Sequence, residues 1–384
     1  MARATRNNEC IIDGPGTPQV LYLAFELGVE EWKLAFTKDL GDKPWVRVTP
    51  ARDLKRLARE IAAAKKQFAL SKLTSVRSCY EAGRDGFWLH RHLVVAGIDN
   101  RVVDSSSIEV NRRQRRAKSD GLDARKLLAM LIRYHAGESK VWSVVRIPTV
   151  EEEDRRQLHR ELRTLKKERT RVKNRIQGLL ANQGLRLPKG RDFNTRLAEM
   201  RLWDGSPLPA GLRARLQREW AHAQFLHATI LELERDRQKA LKHDRGPAIE
   251  KVRQLLRLRG LGPNGAWVYV NEFFGWRQFR NRKEVGAAAG LTPTPYQSGD
   301  LISRDQGISK AGSRHIRAVA IEMAWCWLRY QPGSRLSRWY QERFARGGIR
   351  ARKVGIVALA RKLLIDLWRF LEHGVIPEGA VLKS

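Results

Sequence analysis

Four acidic residues and a loop serine are the side chains of this sequence whose type and setting could do phosphate chemistry. Asp120 and Asp123 stand three apart in KSDGLDARKL, at the start of a predicted helix. That spacing puts both carboxylates on one helix face, with roughly 5–6 Å between Cβ atoms. Glu26 closes one predicted strand and Glu81 another. If strand ends and helix start meet, the four carboxylates converge, and oxygen-only ligation of this kind suits Mg²⁺ or Mn²⁺. Two such ions about 3.5–4 Å apart can flank a scissile phosphate, activating the attacking oxygen and stabilising the leaving one. Two aspartates opening a helix are also what capping and the helix dipole favour. The joint placement of all four is therefore what carries the chemistry.

The elements that must position them follow from hydropathy. Residues 20–150 alternate short apolar or β-branched runs with helical patterns, as in an α/β domain. Predicted strands are 20–25, 31–36, 45–48, 75–80 and 101–104, and predicted helices 51–69, 84–97 and 121–135. The first three strands have short connections and read as an antiparallel meander; the last two are reached through helices. Three strands, then helix, strand, helix, strand and helix make a ribonuclease-H-like mixed sheet, in which the first and fourth strands are neighbours. Residues 1–19 read as an N-terminal tail and 20–150 as one domain.

From 151 to 245 the texture is that of a coiled coil. Leu158, Leu162, Leu165, Val172, Ile176 and Leu179 recur at spacings of three and four, with Arg169 in the one gap. A second run over 211–241, with Leu212, Leu216, Ala223, Leu226, Ile230 and Leu233, can return antiparallel to the first, and the Gly- and Pro-bearing stretch between them reads as the turn region. Residues 246–384 form a mostly helical C-terminal domain ending in a long helix over about 350–372. Most of the twelve tryptophans, Trp325, Trp327 and Trp368 among them, read as core or helix-contact residues.

The partner class follows from charge. Lys and Arg number 74 against 41 Asp and Glu, a formal charge of +33 over 384 residues, while 42% hydrophobic residues exclude disorder for most of the chain. Such a surplus calls for a polyanion, and because the basic residues run through every region, nucleic acid fits better than a membrane surface. Ten cations in the first helical run, Arg155, Arg156, Arg160, Arg163, Lys166, Lys167, Arg169, Arg171, Lys173 and Arg175, could hold RNA or DNA, or form a solvated face. No stretch has the roughly 18–20 unbroken apolar residues of a membrane span. The start MARATRNNECIIDGPG lacks the apolar segment of a signal peptide, so a cytoplasmic protein is expected. Cys10, Cys79 and Cys326 have neither disulfide nor zinc spacing.

Two stretches of the C-terminal domain complete the picture. In LLRLRGLGPNGAWVYVNEFFG, Gly260 and Gly262 fit a helix-hairpin-helix whose helix-terminal N–H groups meet a phosphate, or a plain glycine turn between packed helices. In GLTPTPYQSGDLISRDQGISKAGSRHIR, Ser298 lies in a Pro- and Gly-bounded loop, a setting in which serine is ordinarily a turn residue. Lys310, Arg314 and Arg317 follow and could surround a phosphate with positive charge. Ser303, Ser309 and Ser313 are rival hydroxyls in the same stretch.

Glu26, YEAG with Glu81, and KSDGLDARKL resemble the RuvC-like domain of the DEDD-type insertion-sequence transposases, the bridge-RNA or seekRNA-guided recombinases. The resemblance continues through the coiled coil and both C-terminal stretches. In that family the first acid is usually Asp, so this chain reads E, E, D, D. The resemblance implies that Ser298 is a nucleophile that forms a phosphoserine link with DNA and releases a 3′ hydroxyl. It further implies donor and target DNA as substrates, a guide RNA as partner, Mg²⁺ or Mn²⁺ on the four acids and no nucleotide cofactor. A homotetramer, as a dimer of dimers, would join the acids of one subunit to the serine of another. Two other readings stay open: a RuvC-like junction nuclease that uses water, and an inactive nucleic-acid-binding protein.

Overall fold

The computed structural model describes residues 19–108, 120–186, 192–296 and 304–383. Within these the chain divides into two compact units, Met1–Ile147 and Pro148–Ser384. Ser298, Ser303, Cys10 and the N-terminal tail lie outside the described residues.

The first unit contains β1 (Val20–Leu27), β2 (Glu31–Thr37), β3 (Trp45–Pro50), α1 (Leu54–Gln67), β4 (Ser75–Glu81), α2 (Trp88–Val95), β5 (Asp99–Val103) and α3 (Asp120–His135). The strands form one mixed sheet in the order β3-β2-β1-β4-β5. Pairing is antiparallel from β1 to β2 and from β2 to β3, and parallel from β1 to β4 and from β4 to β5. Strand alternation sorts the side chains. Leu21, Leu23, Phe25, Val76 and Tyr80 face a core shared with Leu57 of α1 and Leu89 and Leu93 of α2. Ala24, Ala35, Cys79 and Val103 face the other way, against Ala124, Leu127, Leu128 and Leu131 of α3. Small residues on that face let α3 lie close, and the Cys79 thiol reaches the Leu127 carbonyl at 3.7 Å.

Helix α1 is shorter than the predicted 51–69. Asp53 caps it by accepting from the Arg56 N–H, and Arg52 and Ala69 at either end have φ of +68° and +54°, outside the helical region. Helix α2 also falls inside its expected 84–97. Among the described residues of this unit the buried acid is Glu60, held by Arg47 at 2.9 Å and Arg56 at 2.8 Å, so its carboxyl lies below the usual range.

The second unit contains α4 (Val150–Asp154), α5 (Gln157–Ala181), α6 (Phe193–Glu199), α7 (Ala210–His243), α8 (Pro247–Leu256), α9 (Pro263–Tyr269), α10 (Arg282–Ala288), β6 (Pro293–Tyr296), β7 (Arg304–Ile308), α11 (Arg314–Tyr330), α12 (Arg335–Tyr340) and α13 (Ile349–His373). Helices α5 and α7 are antiparallel, as the pairs Lys166–Glu234, Arg169–His227 and Arg175–Glu219 require. Val172, Ile176 and Leu180 bury against Leu216, Ala223 and Leu226. The apolar seam is thus filled within one chain. The helical end domain packs α8, α9, α11 and α13 around Val252, Phe273, Trp327, Leu363 and Leu367. Trp327 and Trp368 are buried as expected, whereas Trp325 is 49% exposed and Trp203, on a turn, is 93% exposed.

One correction concerns 290–300. The composition reads as a loop, yet Pro293–Tyr296 form half of a two-stranded antiparallel ribbon, β6 with β7. Pro293 and Pro295 disguise the strand, because proline lacks the N–H of a ladder. A two-stranded ribbon tolerates them, with a register shift between the two prolines.

Candidate functional site

The sheet order makes Glu26 and Glu81 neighbours. The parallel register pairs Phe25 with Tyr80, and each acid is the next residue on its strand. Both fall on the alternation that faces α3, since Phe25 and Tyr80 face the opposite core. Glu26 is half-buried and Glu81 exposed. Position along α3 follows from packing. Leu127 stands level with Cys79, two residues before Glu81. His135 at the far end lies near Tyr22, so α3 runs antiparallel to β1. Four residues back along the helix is about 6 Å, and two residues forward along the strand about 6.6 Å. Residue 123 of the helix backbone therefore reaches the level of Glu26 and Glu81, with 120 one turn beyond. For Asp120 and Asp123 the description stops at the backbone. Among the described residues no group of three or more His, Cys, Asp or Glu is gathered at one point, and the side chains of these two aspartates are not in that set. Glu26 and Glu81 thus bring two carboxylates to adjacent strand ends, and carboxylate oxygens are the donors that a hard divalent ion takes.

The ribbon β6–β7 leads to and from the segment that holds Ser298. Its base is closed by two further backbone bonds between its flanks: Ser309 N–H donates to Thr292 O at 2.9 Å and Lys310 N–H to Gly290 O at 3.2 Å. Two glycines make this contact possible. Gly290, at φ +65°, would bring a Cβ to 1.9 Å from Ala311 O, and Gly312, at φ +81°, to 2.2 Å from Ala288 O. Replacing Gly290 by alanine is expected to lower unfolding free energy by about 2–4 kcal/mol. Urea titration of the full chain measures this, and a loss under 1 kcal/mol would mean that the ribbon base yields freely.

The predicted phosphate-binding cations divide here. Lys310 and Arg314 are exposed. Arg317 is half-buried and donates to the Ala289 carbonyl at 3.2 Å, closing the end of α10. Of the rival hydroxyls, Ser313 caps α11 by accepting from the Ile316 N–H at 3.3 Å. Gly260 and Gly262 also separate. Gly260, at φ +90°, turns the chain against α11, where an added Cβ would lie 3.0 Å from Tyr330 Cβ; Gly262 faces open space. The carbonyls of this turn are taken internally: Lys383 N–H donates to Arg257 O, Gln331 to Arg259 O and Lys383 Nζ to Leu261 O.

A second ionic assembly was not legible as a site. Glu272, in the π-helical turn Val270–Phe274 after α9, accepts from His159 Nε2 at 2.8 Å and from Arg160 at 2.6 and 2.9 Å. Burial pushes its carboxyl up, but these donors prevail and hold it at about 2. The His315 ring of α11 stacks near that of His159, and burial, helped by Arg163, lowers its pKa to about 4. The guanidiniums of Arg156 and Arg277 lie over the Trp276 ring, 4.4 and 4.5 Å from its centroid. Arg156 is 6% exposed. One carboxylate thus ties α5 to the turn after α9, with the His315 ring of α11 stacked beside it. His159 breaking the apolar face of α5 is the only sequence signal of it.

The assembly also corrects the reading of the basic run. Arg156 is buried, Arg160 binds Glu272, Lys166 binds Glu234 and Arg175 binds Glu219. Arg155, Arg163, Lys167, Arg171 and Lys173 remain exposed.

The model of the family described as "Transposase IS116/IS110/IS902 family" matches residues 252–340, from α8 to α12. The chain is 40% identical over 377 residues to "Putative transposase y4rJ" of Sinorhizobium fredii, covering 95% of each chain. It is 29% identical over 222 residues to "Transposase for insertion sequence element IS1328" of Yersinia enterocolitica, covering 57% of this chain and 63% of that one. Over 233 residues it is 32% identical to "Probable family 20 transposase" of Pseudomonas aeruginosa, covering 60% of this chain and 66% of the relative. The chain belongs to the IS116/IS110/IS902 family of insertion-sequence transposases.

Proposed function

We propose that this transposase cuts and rejoins DNA through a serine-linked intermediate, with divalent ions held by a ribonuclease-H/RuvC-like domain. The observation that carries the reading is the β3-β2-β1-β4-β5 sheet, which puts Glu26 and Glu81 on adjacent strand ends level with the first turn of α3. The roles divide along the chain: 20–150 holds the ions, 151–245 is the coiled-coil region, and 246–384 carries the serine and binds the phosphate backbone, with a helix-hairpin-helix at Gly260 and Gly262.

Ser298 Oγ attacks a DNA phosphorus, the new O–P bond replaces the bond to the 3′ oxygen, and the hydroxyl proton ends on that leaving oxygen. A freed 3′ hydroxyl from another strand then attacks the phosphoserine and regenerates the serine. The ester conserves the energy of the broken link, so no nucleotide is consumed. Mg²⁺ or Mn²⁺ on Glu26, Glu81, Asp120 and Asp123 would neutralise charge on the phosphoryl oxygens. Lys310 and Arg314, both exposed, add positive charge near the ribbon base. The net charge of +33 suits holding donor and target DNA together with a guide RNA. Sequence choice is delegated to that RNA, and a homotetramer joins the acids of one subunit to the serine of another.

The test is incubation with end-labelled element DNA followed by denaturing electrophoresis. A covalent protein–DNA species that disappears in Ser298→Ala is the expected result. Normal cleavage by Ser298→Ala would instead leave a nuclease that uses water. Sequencing of co-purified RNA tests guidance, and recombination by protein freed of RNA would exclude it.

A further inference from the structure

The α5–α7 seam is interrupted at one level. Arg169 stands where the heptad rhythm calls for an aliphatic side chain. Across from it α7 presents Trp220, Ala223, Gln224 and His227, and a notch of about 130 Å³ opens between these four residues and Arg169 and Lys173 of α5. The charge pattern singles out the same level. On either side of it interhelical carboxylates neutralise the cations, Glu234 on Lys166 at 2.6 Å and Glu219 on Arg175 at 2.7 Å. Among the described residues neither Arg169 nor Lys173 has a carboxylate in ion-pair reach. Arg169 meets His227 Nδ1 at 3.0 Å instead, and an imidazole supplies no negative charge, so the nearest carboxylate acting on Arg169, Glu234, is the one already bonded to Lys166.

Trp220 adds a flat apolar surface to this charge. Its indole is stacked on Phe193 at 4.4 Å with an interplanar angle of 19°. It is therefore already ordered, and a ligand that packs on it meets little further entropy cost. An aromatic plane beside two cations is the combination that binds single-stranded nucleic acid, the ring stacking a base and the cations holding phosphate.

We propose that this notch is a nucleotide subsite, which takes one unstacked base against Trp220 and an adjoining phosphate on Arg169 and Lys173. Gln224 and His227 meet the polar edge of the base. The inference rests on the nucleic-acid reading above. RNA and DNA strands offer the same base and phosphate chemistry, so the experiment is run with both.

The full chain is titrated with labelled single-stranded RNA and DNA of one mixed sequence across a salt series, and each complex is crosslinked with ultraviolet light and mapped by mass spectrometry. For at least one probe the crosslinked peptide is expected to contain Trp220. The double variant Arg169→Gln/Lys173→Gln is expected to weaken that probe about tenfold near 0.15 M salt. It is also expected to flatten the slope of log K against log salt by about 0.7 for each phosphate no longer neutralised. Lys173→Glu, a change at an exposed side chain, weakens the same probe, which separates impaired binding from impaired folding. Dependence seen with one probe alone, or with both, assigns the strand that uses the subsite. Unchanged affinity and slope for both probes in protein that binds them would overturn the subsite and leave the transposase reading standing. Wild-type protein that binds neither strand nor duplex DNA would overturn both.

Discussion

Asp120→Ala and Asp123→Ala are each expected to lower strand cleavage and joining by about 10³-fold, close to 4 kcal/mol of barrier. Binding is expected to behave differently. Removing an anion from beside a phosphate weakens nothing that attracts DNA, so affinity stays level or rises slightly. The effect is large because acids that share an ion act as a unit, and loss of one degrades the whole set. The reason to expect this of these two aspartates is positional: helix α3 starts level with Glu26 and Glu81, on the sheet face where both acids lie. A recombination assay run beside a filter-binding assay separates the two quantities. Full recombination by both variants would leave the pair as no more than helix-start residues.

Glu272→Ala is expected to lower the unfolding free energy by about 2–4 kcal/mol, because it leaves the buried His159 Nε2 without its hydrogen-bond partner and removes the carboxylate from Arg160, whose half-exposed side chain is partly screened by water. Glu272→Gln keeps the shape and loses less. The same cluster predicts an acid response. Glu272 sits at about 2 against an ordinary 4.5, so the stability it contributes is complete above about 4.5 and drains as pH falls towards 2. His315 sits at about 4 against 6.5, which means that the folded state resists its protonation and stability falls as pH drops from 6.5 to 4. Both shifts have the same sign. His159, Arg160 and Arg163 act on the pair, and Glu153 faces Arg156 and Arg160 at the edge of the cluster. Urea midpoints measured from pH 7 to pH 3 should therefore fall throughout, with the lower part of the fall flattened in Glu272→Gln. A midpoint indifferent to pH over that range would show that the cluster holds no stability.

The five strands of the first unit lie within two residues of where alternation predicts them, and the long helices of the second unit are close to their heptad runs. Burial leaves this trace because one face of each element is apolar, and a period of two or of three and a half is a local property of the chain. Glu26, Glu81, Asp120 and Asp123 stand out for the same reason, each at the edge of a readable element. Other features have no local period. His159 and Glu272 are 113 residues apart and look like ordinary polar residues until α5 packs against the turn after α9. Pro293 and Pro295 hide a strand that exists only because residues 304–308 pair with it. Arg169 shows in the sequence as a gap in a seam, but the notch it leaves depends on Ala223 and Trp220 arriving from the opposite helix. Periodicity and charge thus specify which elements form and which polymer the chain binds, since both are sums over neighbouring residues. The pairing of a particular cation with a particular carboxylate, or its lack of one, waits on long-range packing, because the energy of a charge is set by what the fold places within a few ångströms of it.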